Sequence, residues 1–88
     1  MQKTLKSKDY ERLIGLLVAT REKAGIRQHT LAERLDMPQS FIAKYEGGDR
    51  RLDVIEFIAI AGALGADPIK LLRDFLAGKA PSSPRKRG

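Results

Sequence analysis

Residues 25 to 48 run Gly-Ile-Arg-Gln-His-Thr-Leu-Ala-Glu-Arg-Leu-Asp-Met-Pro-Gln-Ser-Phe-Ile-Ala-Lys-Tyr-Glu-Gly-Gly, and few folds accommodate them. Two short amphipathic segments are separated only by a tight break at Asp36-Met37-Pro38, and Gly47-Gly48 closes the second. Two short amphipathic helices separated by a tight break are the sequence image of a helix-turn-helix. The first is expected from about Gln28 to Leu35, with Leu31, Ala32 and Leu35 turned inward and Asp36 starting the turn. The second is expected from Pro38 or Gln39 to Glu46, and Pro38 is tolerated because the first helical turn has no amide partner to lose. That second helix divides into an apolar side (Phe41, Ile42, Tyr45) and a polar side (Gln39, Ser40, Lys44) whose groups suit base edges and phosphates.

Three further helices and no strand surround this pair. Over residues 8 to 24, Tyr10, Leu13, Ile14, Leu17 and Val18 recur at the i, i+3, i+4, i+7, i+8 spacing of one helical face. Ser7 or Asp9 caps its start and Gly25 stops it. Asp53-Val-Ile-Glu56 has the form of a capping box and opens a fourth helix through Leu64, closed by Gly65. Asp67-Pro68 repeats the cap-plus-proline start for a fifth helix carrying Ile69, Leu71, Leu72, Phe75 and Leu76 up to Gly78. Phe75 and Leu76 are assigned to the core in preference to a dimer surface. The expected architecture is thus a compact all-α domain of five helices over residues 8–78. A basic flexible arm at 1–7 precedes it, and a basic tail at 79–88, too poor in apolar groups to offset its ordering entropy, follows it.

A chain of 88 residues, 42% of them hydrophobic, builds one domain with a modest core. The net charge of +6 invites a nucleic-acid reading, yet its distribution weakens the simple form of that argument. Lys3, Lys6 and Lys8 at one end, with Lys79, Arg85, Lys86 and Arg87 at the other, leave ten basic against eleven acidic residues over 9–78. A DNA-attracting field on the body must therefore come from local clustering of Arg27, Arg34, Lys44, Arg50 and Arg51. There is no cysteine, so neither a disulfide framework nor a thiolate for zinc or nucleophilic chemistry is available, and the lone His29 has no metal-binding companion. No apolar run approaches the roughly 20 residues that cross a bilayer, and no signal-type stretch follows Met1. A cytoplasmic protein is expected, with no metal, no cofactor and no membrane partner. No Ser-His-Asp, Cys-His, paired-carboxylate or glycine-rich phosphate-loop constellation is present, so no enzyme and no catalytic residue is expected.

Three segments in order, Ala24-Gly25-Ile26-Arg27-Gln28 with Leu31-Ala32, then Gln39-Ser40-Phe41-Ile42 with Lys44-Tyr45-Glu46-Gly47-Gly48, then Ile60-Ala61-Gly62-Ala63-Leu64-Gly65, carry a resemblance. Over roughly residues 10 to 76 the chain resembles the Xre/Cro/CI-type helix-turn-helix family of phage and bacterial regulators, whose fold is the five-helix, lambda-repressor-like DNA-binding domain. The resemblance implies base reading in the major groove by Gln39, Lys44 and Ser40. Phe41 borders both faces, facing either a thymine methyl or helix 2, with packing preferred. It implies phosphate contacts from Gln28, at the positive end of helix 2, from Arg27 beside it, and from Arg50 and Arg51 beyond the Gly47-Gly48 break. Ala43 is small enough to let the helix approach the DNA backbone. Arg21 and Glu46 stand where family members place a salt bridge joining the first helix to the third.

Three positions depart from the family pattern. Arg27 replaces the usual small cap before helix 2, Pro38 replaces a Ser or Thr before helix 3, and Asp36 stands where Gly is frequent, so the turn requires Asp in a left-handed conformation or a different build. The resulting expectation is a sequence-specific, double-stranded DNA-binding transcriptional regulator, a repressor acting as a homodimer on a pseudo-palindromic operator, with no small-molecule effector. The alternative is an antitoxin-like adaptor whose main role is to hold a protein partner; the short basic ends, without an amphipathic segment beyond helix 5, argue against it. Because the seven terminal cations sit outside the specificity-bearing segment, deletion of residues 79–88 should weaken binding to all DNA and flatten its salt dependence while leaving sequence preference intact, as read from binding isotherms over a salt series.

Overall fold

The computed structural model describes residues 7–78, all-α over that range, so the arm at 1–6 and the tail at 79–88 lie outside the described residues. Five helices follow in order: α1 (Lys8–Lys23), α2 (Gln28–Leu35), α3 (Gln39–Glu46), α4 (Val54–Ala63) and α5 (Pro68–Leu76). Their bounds agree with the sequence expectation to within about a residue because each end carries its own chemical signal. Ser7 caps α1 through its side chain, which accepts from the Tyr10 amide at 3.2 Å. Asp53 and Glu56 close the capping box of α4 in both directions, at 2.7 and 3.0 Å. Asp67 caps α5, with Pro68 at its first turn.

Four of the helices end in the same way. The amides of Ile26, Met37, Asp49 and Ala66 reach back to the carbonyls of Arg21, Ala32, Lys44 and Ala61 at 3.1, 3.0, 2.8 and 2.9 Å, the Schellman pattern, which requires a left-handed residue just before each of them. Gly25, Gly48 and Gly65 supply it in three cases, and Asp36, at φ 56° and ψ 43°, supplies it in the fourth. Of the two builds left open for the α2–α3 turn, the left-handed Asp is the one adopted, so the turn keeps the usual geometry without its usual glycine. Arg27 and Pro38 make no side-chain cap, in line with the departures seen in sequence. Pro38 itself occupies the cap position, extended at ψ 150°, rather than the first helical turn.

The core gathers Ile14 and Leu17 of α1, Leu31 and Ala32 of α2, Phe41, Ile42 and Tyr45 of α3, Phe57, Ile60 and Ala61 of α4, and Leu71 of α5. α3 is thus held on α2 and α1, while α4 backs α2 and α5 runs against α1. One assignment is corrected at α5. Leu76 is 81% exposed and forms no part of the core, Leu71 being the buried residue of α5. Phe75 is half-buried under the Arg12 guanidinium, 4.2 Å above its ring, and Arg12 also donates to the Phe75 carbonyl at 2.8 Å.

Tyr10 ties the start of α1 to the α3–α4 loop. Its hydroxyl donates to the Arg50 carbonyl at 3.1 Å and accepts from the Leu52 amide at 3.0 Å. Burial pushes the Tyr10 phenol above its ordinary value. The capping box therefore has a second task, since Glu56 also holds Arg50 in that loop. Asp53→Ala, which strips the cap, should cost about 0.5–2 kcal/mol, a fall in melting temperature of roughly 4–8 °C per kcal/mol in a domain this small, measured by circular dichroism.

Candidate nucleic-acid interface

α3 buries Phe41, Ile42 and Tyr45 and exposes Gln39, Ser40, Ala43 and Lys44. Period 3.6 produces that division: residues 41, 42 and 45 fall on one side of the helix, and 39, 40, 43 and 44 on the other. The exposed side begins at the N-terminus of the helix, where the amides of the first turn have no intrahelical partner and the dipole is positive. It presents an amide, a hydroxyl, a methyl group and an ammonium, so it can donate to and accept from base edges, meet an apolar group, and approach a phosphate.

What holds this face in place is a chain of polar contacts crossing three helices. Arg21 of α1 donates through Nε to Glu46 Oε2 at 2.7 Å and through Nη2 to Oε1 at 3.0 Å, while its Nη1 donates to the Ile26 carbonyl at 2.8 Å. Both side chains are nearly buried, at 11% and 8% exposure, and the carboxylate holds the Arg21 guanidinium above its ordinary pKa. Gln28, at the first position of α2, donates to the same Glu46 Oε1 at 2.8 Å. Its oxygen accepts in turn from Gln39 Nε2 at 3.4 Å, a long contact joining the N-termini of α2 and α3. The Arg21–Glu46 bridge is as expected, and the two glutamines expected to touch DNA lie side by side on top of it.

The structure separates the remaining expected residues. Arg27 is exposed at the mouth of α2, beside Gln28. Arg51 is exposed at the far end of α3, its guanidinium 4.6 Å above the Tyr10 ring and 3.4 Å from Ser7 Oγ. Arg50 is paired within the domain: its guanidinium is bidentate to Glu56 at 2.9 and 2.8 Å, donates to the Arg51 carbonyl at 2.9 Å and lies 4.8 Å over the Phe41 ring. The pairing holds the Glu56 carboxyl below and the Arg50 guanidinium above their ordinary values. Arg50 thus closes the α3–α4 loop, its charge answered by a carboxylate. Phe41 takes the preferred packing role: at 7% exposure, covered by Arg50 and tilted against Tyr45 at 5.6 Å, its ring belongs to the core.

Sequence reasoning missed the double use of Glu56 and the bridging role of Tyr10. The spacing of Arg50 and Glu56 carried a signal for the first, since a carboxylate in a capping box stands one turn inside the helix that a preceding loop must approach. Nothing in the sequence pointed to the second. Among the described residues, no group of three or more His, Asp or Glu side chains is placed to hold a metal ion, and no helix is long and apolar enough to cross a membrane.

Comparison with known proteins supports the geometry. A family model described as helix-turn-helix matches residues 17–71, a range that contains α2, α3, α4 and the second half of α1. Among solved structures the chain is similar to an XRE-family like protein from Pseudomonas syringae pv. tomato str. DC3000, with 47% sequence identity and a TM-score of 0.78, over 80% of this chain and 85% of that one. No curated protein matches the chain.

Glu46 is the one acceptor shared by Arg21 and Gln28, so its removal leaves a nearly buried guanidinium without its counter-charge. Glu46→Ala should destabilise the domain by roughly 3 kcal/mol, measured by urea unfolding, whereas Lys44→Ala on the exposed side should leave stability within about 0.5 kcal/mol of the parent.

Proposed function

Since the chain belongs to the XRE family of helix-turn-helix DNA-binding regulators, we propose that it is a sequence-specific transcriptional repressor that binds a pseudo-palindromic operator as a homodimer, each copy laying α3 in the major groove. The observation that carries this reading is the exposed N-terminal face of α3, Gln39, Ser40 and Lys44, seated on the Arg21–Glu46–Gln28 contacts. Those contacts fix the helix before it meets DNA, so little ordering remains to oppose binding.

In this reading Gln39 pairs with adenine through its amide, Lys44 donates to guanine acceptors or to a phosphate one turn further along, and Ser40 joins either contact. Gln28 has one amide hydrogen on Glu46 and one left for a phosphate at the positive end of α2. Its contact with Gln39 couples the residue that sets the register to the residue that reads the base. Arg27 and Arg51 flank the groove contact on either side, and Ala43 keeps α3 close to the backbone. A regulator of this kind works in the cytoplasm, where the chromosome is.

Selection from random duplex DNA, with the mass of the resulting complex measured, tests the whole of this. The expected outcome is a palindromic site bound by two chains. Gln39→Ala should relax preference at one base pair of each half-site at a cost of about 1–3 kcal/mol, and unchanged preference in that variant would remove α3 as the reading helix.

A further inference from the structure

Met37 stands at two junctions at once. Its amide closes α2 by bonding to the Ala32 carbonyl at 3.0 Å, and the residue after it, Pro38, occupies the cap position of α3. Both stations call for an apolar side chain: a Schellman closure is completed by a hydrophobic contact back onto the helix it ends, and a residue just before a cap staples the chain to the helix it enters. The start of α3 depends on that contact more than most, because Pro38 gives it no side-chain cap. The Met37 side chain lines an apolar recess of about 180 Å³ together with Leu35 of α2, Phe41 of α3 and Ile55 and Ile60 of α4, so it touches the space where three helices meet. The one polar side chain lining that recess is Glu56, an acceptor already engaged by Arg50 and the Asp53 amide. Met37 is also 39% exposed, so its thioether borders both the recess and water. With no cysteine in the chain, it carries the one sulfur among the described residues.

We propose that Met37 is an oxidation site whose state sets how firmly α3 is seated. The proposal rests on the DNA-binding reading above and adds a means of regulating it. Hydrogen peroxide transfers one oxygen to the thioether: a sulfur lone pair forms the S–O bond, the O–O bond breaks, and water leaves. Sulfur is oxidised by two electrons and the peroxide reduced by two, and methionine sulfoxide reductases reverse the change. The product is a polar group that accepts hydrogen bonds and donates none. Among the side chains lining the recess none is a donor to it, since the only polar one is a carboxylate. Buried there unpaired the sulfoxide is costly, so it turns out into water and withdraws the apolar contact from Leu35 and Phe41. α3 then loses its fixation at the N-terminal end, where Gln39 and Ser40 are presented, while Arg21 still holds Glu46 at the other. A helix held at one end only presents its exposed face less firmly, so affinity for DNA falls while the fold remains.

Hydrogen peroxide treatment of the full chain tests this, with the parent and Met37→Leu compared and the site of oxidation read from peptide masses. The variant keeps an apolar side chain at the turn without its sulfur, and Met1 is present in both proteins, so oxidation elsewhere is controlled. The oxidised parent should bind its selected duplex roughly tenfold more weakly, recover on reduction and keep its helical content by circular dichroism, while Met37→Leu is indifferent to peroxide. Complete oxidation of Met37 without loss of affinity overturns the proposal. So does an equal loss in both proteins, a collapse of helical content on oxidation, or a Met37 that resists peroxide when Met1 does not. Hydrogen exchange separates this outcome from that of the operator reading. In a chain that selects no duplex, faster exchange of the Met37 and Phe41 amides on oxidation would uphold the seating role and overturn the DNA reading, whereas unchanged exchange would overturn both.

Discussion

One carboxylate, Glu46, governs how the recognition helix is presented. It sits at the last position of α3 and receives three hydrogen bonds from two other helices, two from Arg21 of α1 and one from Gln28 of α2. A pair this buried yields little net stability, because the cost of desolvating two charges offsets most of their attraction. Its effect is geometric. Apolar packing of Phe41, Ile42 and Tyr45 tolerates small rotations of α3 about its axis, whereas a bidentate guanidinium–carboxylate contact does not. The rotation of α3 decides which of its side chains point outward, so the Arg21–Glu46 contact fixes the exposed face from behind.

The same economy appears in the loop that follows the helix. Glu56 first completes the cap of α4 and then takes both amino groups of Arg50, whose flat face covers Phe41. The α3–α4 loop is thereby closed over the core, with Leu52 packed against it, and Tyr10 fastens it to α1 through two backbone groups. α3 is held at Glu46 and over Phe41 by contacts that use arginine as a shaped donor, which lysine with its point charge does not reproduce.

Most of the fold was legible in the sequence because its signals are local. Capping residues, the prolines and the left-handed positions each act within a few residues of where they stand, so helix bounds followed from Ser7, Asp53, Asp67, Gly25, Gly48 and Gly65. The exposed side of α3 followed from period alone. What failed to follow depends on direction across the fold. Arg50 and Arg51 are neighbours with the same charge, and only the placement of α4 decides that the first turns to Glu56 while the second stacks on Tyr10. Phe41 borders both sides of its helix, and its burial waits on what Arg50 does. Leu76 fits the apolar spacing of α5 but stays exposed, because the spacing does not say which side of the helix meets the body.

The internal use of arginine also bears on how such a body attracts DNA. Residues 9–78 carry ten basic against eleven acidic groups, and two of the arginines, Arg21 and Arg50, are already matched to carboxylates. Such a body has little long-range field, so its contribution to the proposed complex is directional: the free amides at the starts of α2 and α3, the glutamine pair, and the short side chains of Ser40 and Ala43 that permit close contact. In the proposed complex, the seven cations at the two ends would carry the long-range attraction. Separating the two tasks lets affinity vary with the ends without altering what α3 reads, because nothing in the Arg21–Glu46–Gln28–Gln39 contacts depends on charge outside them.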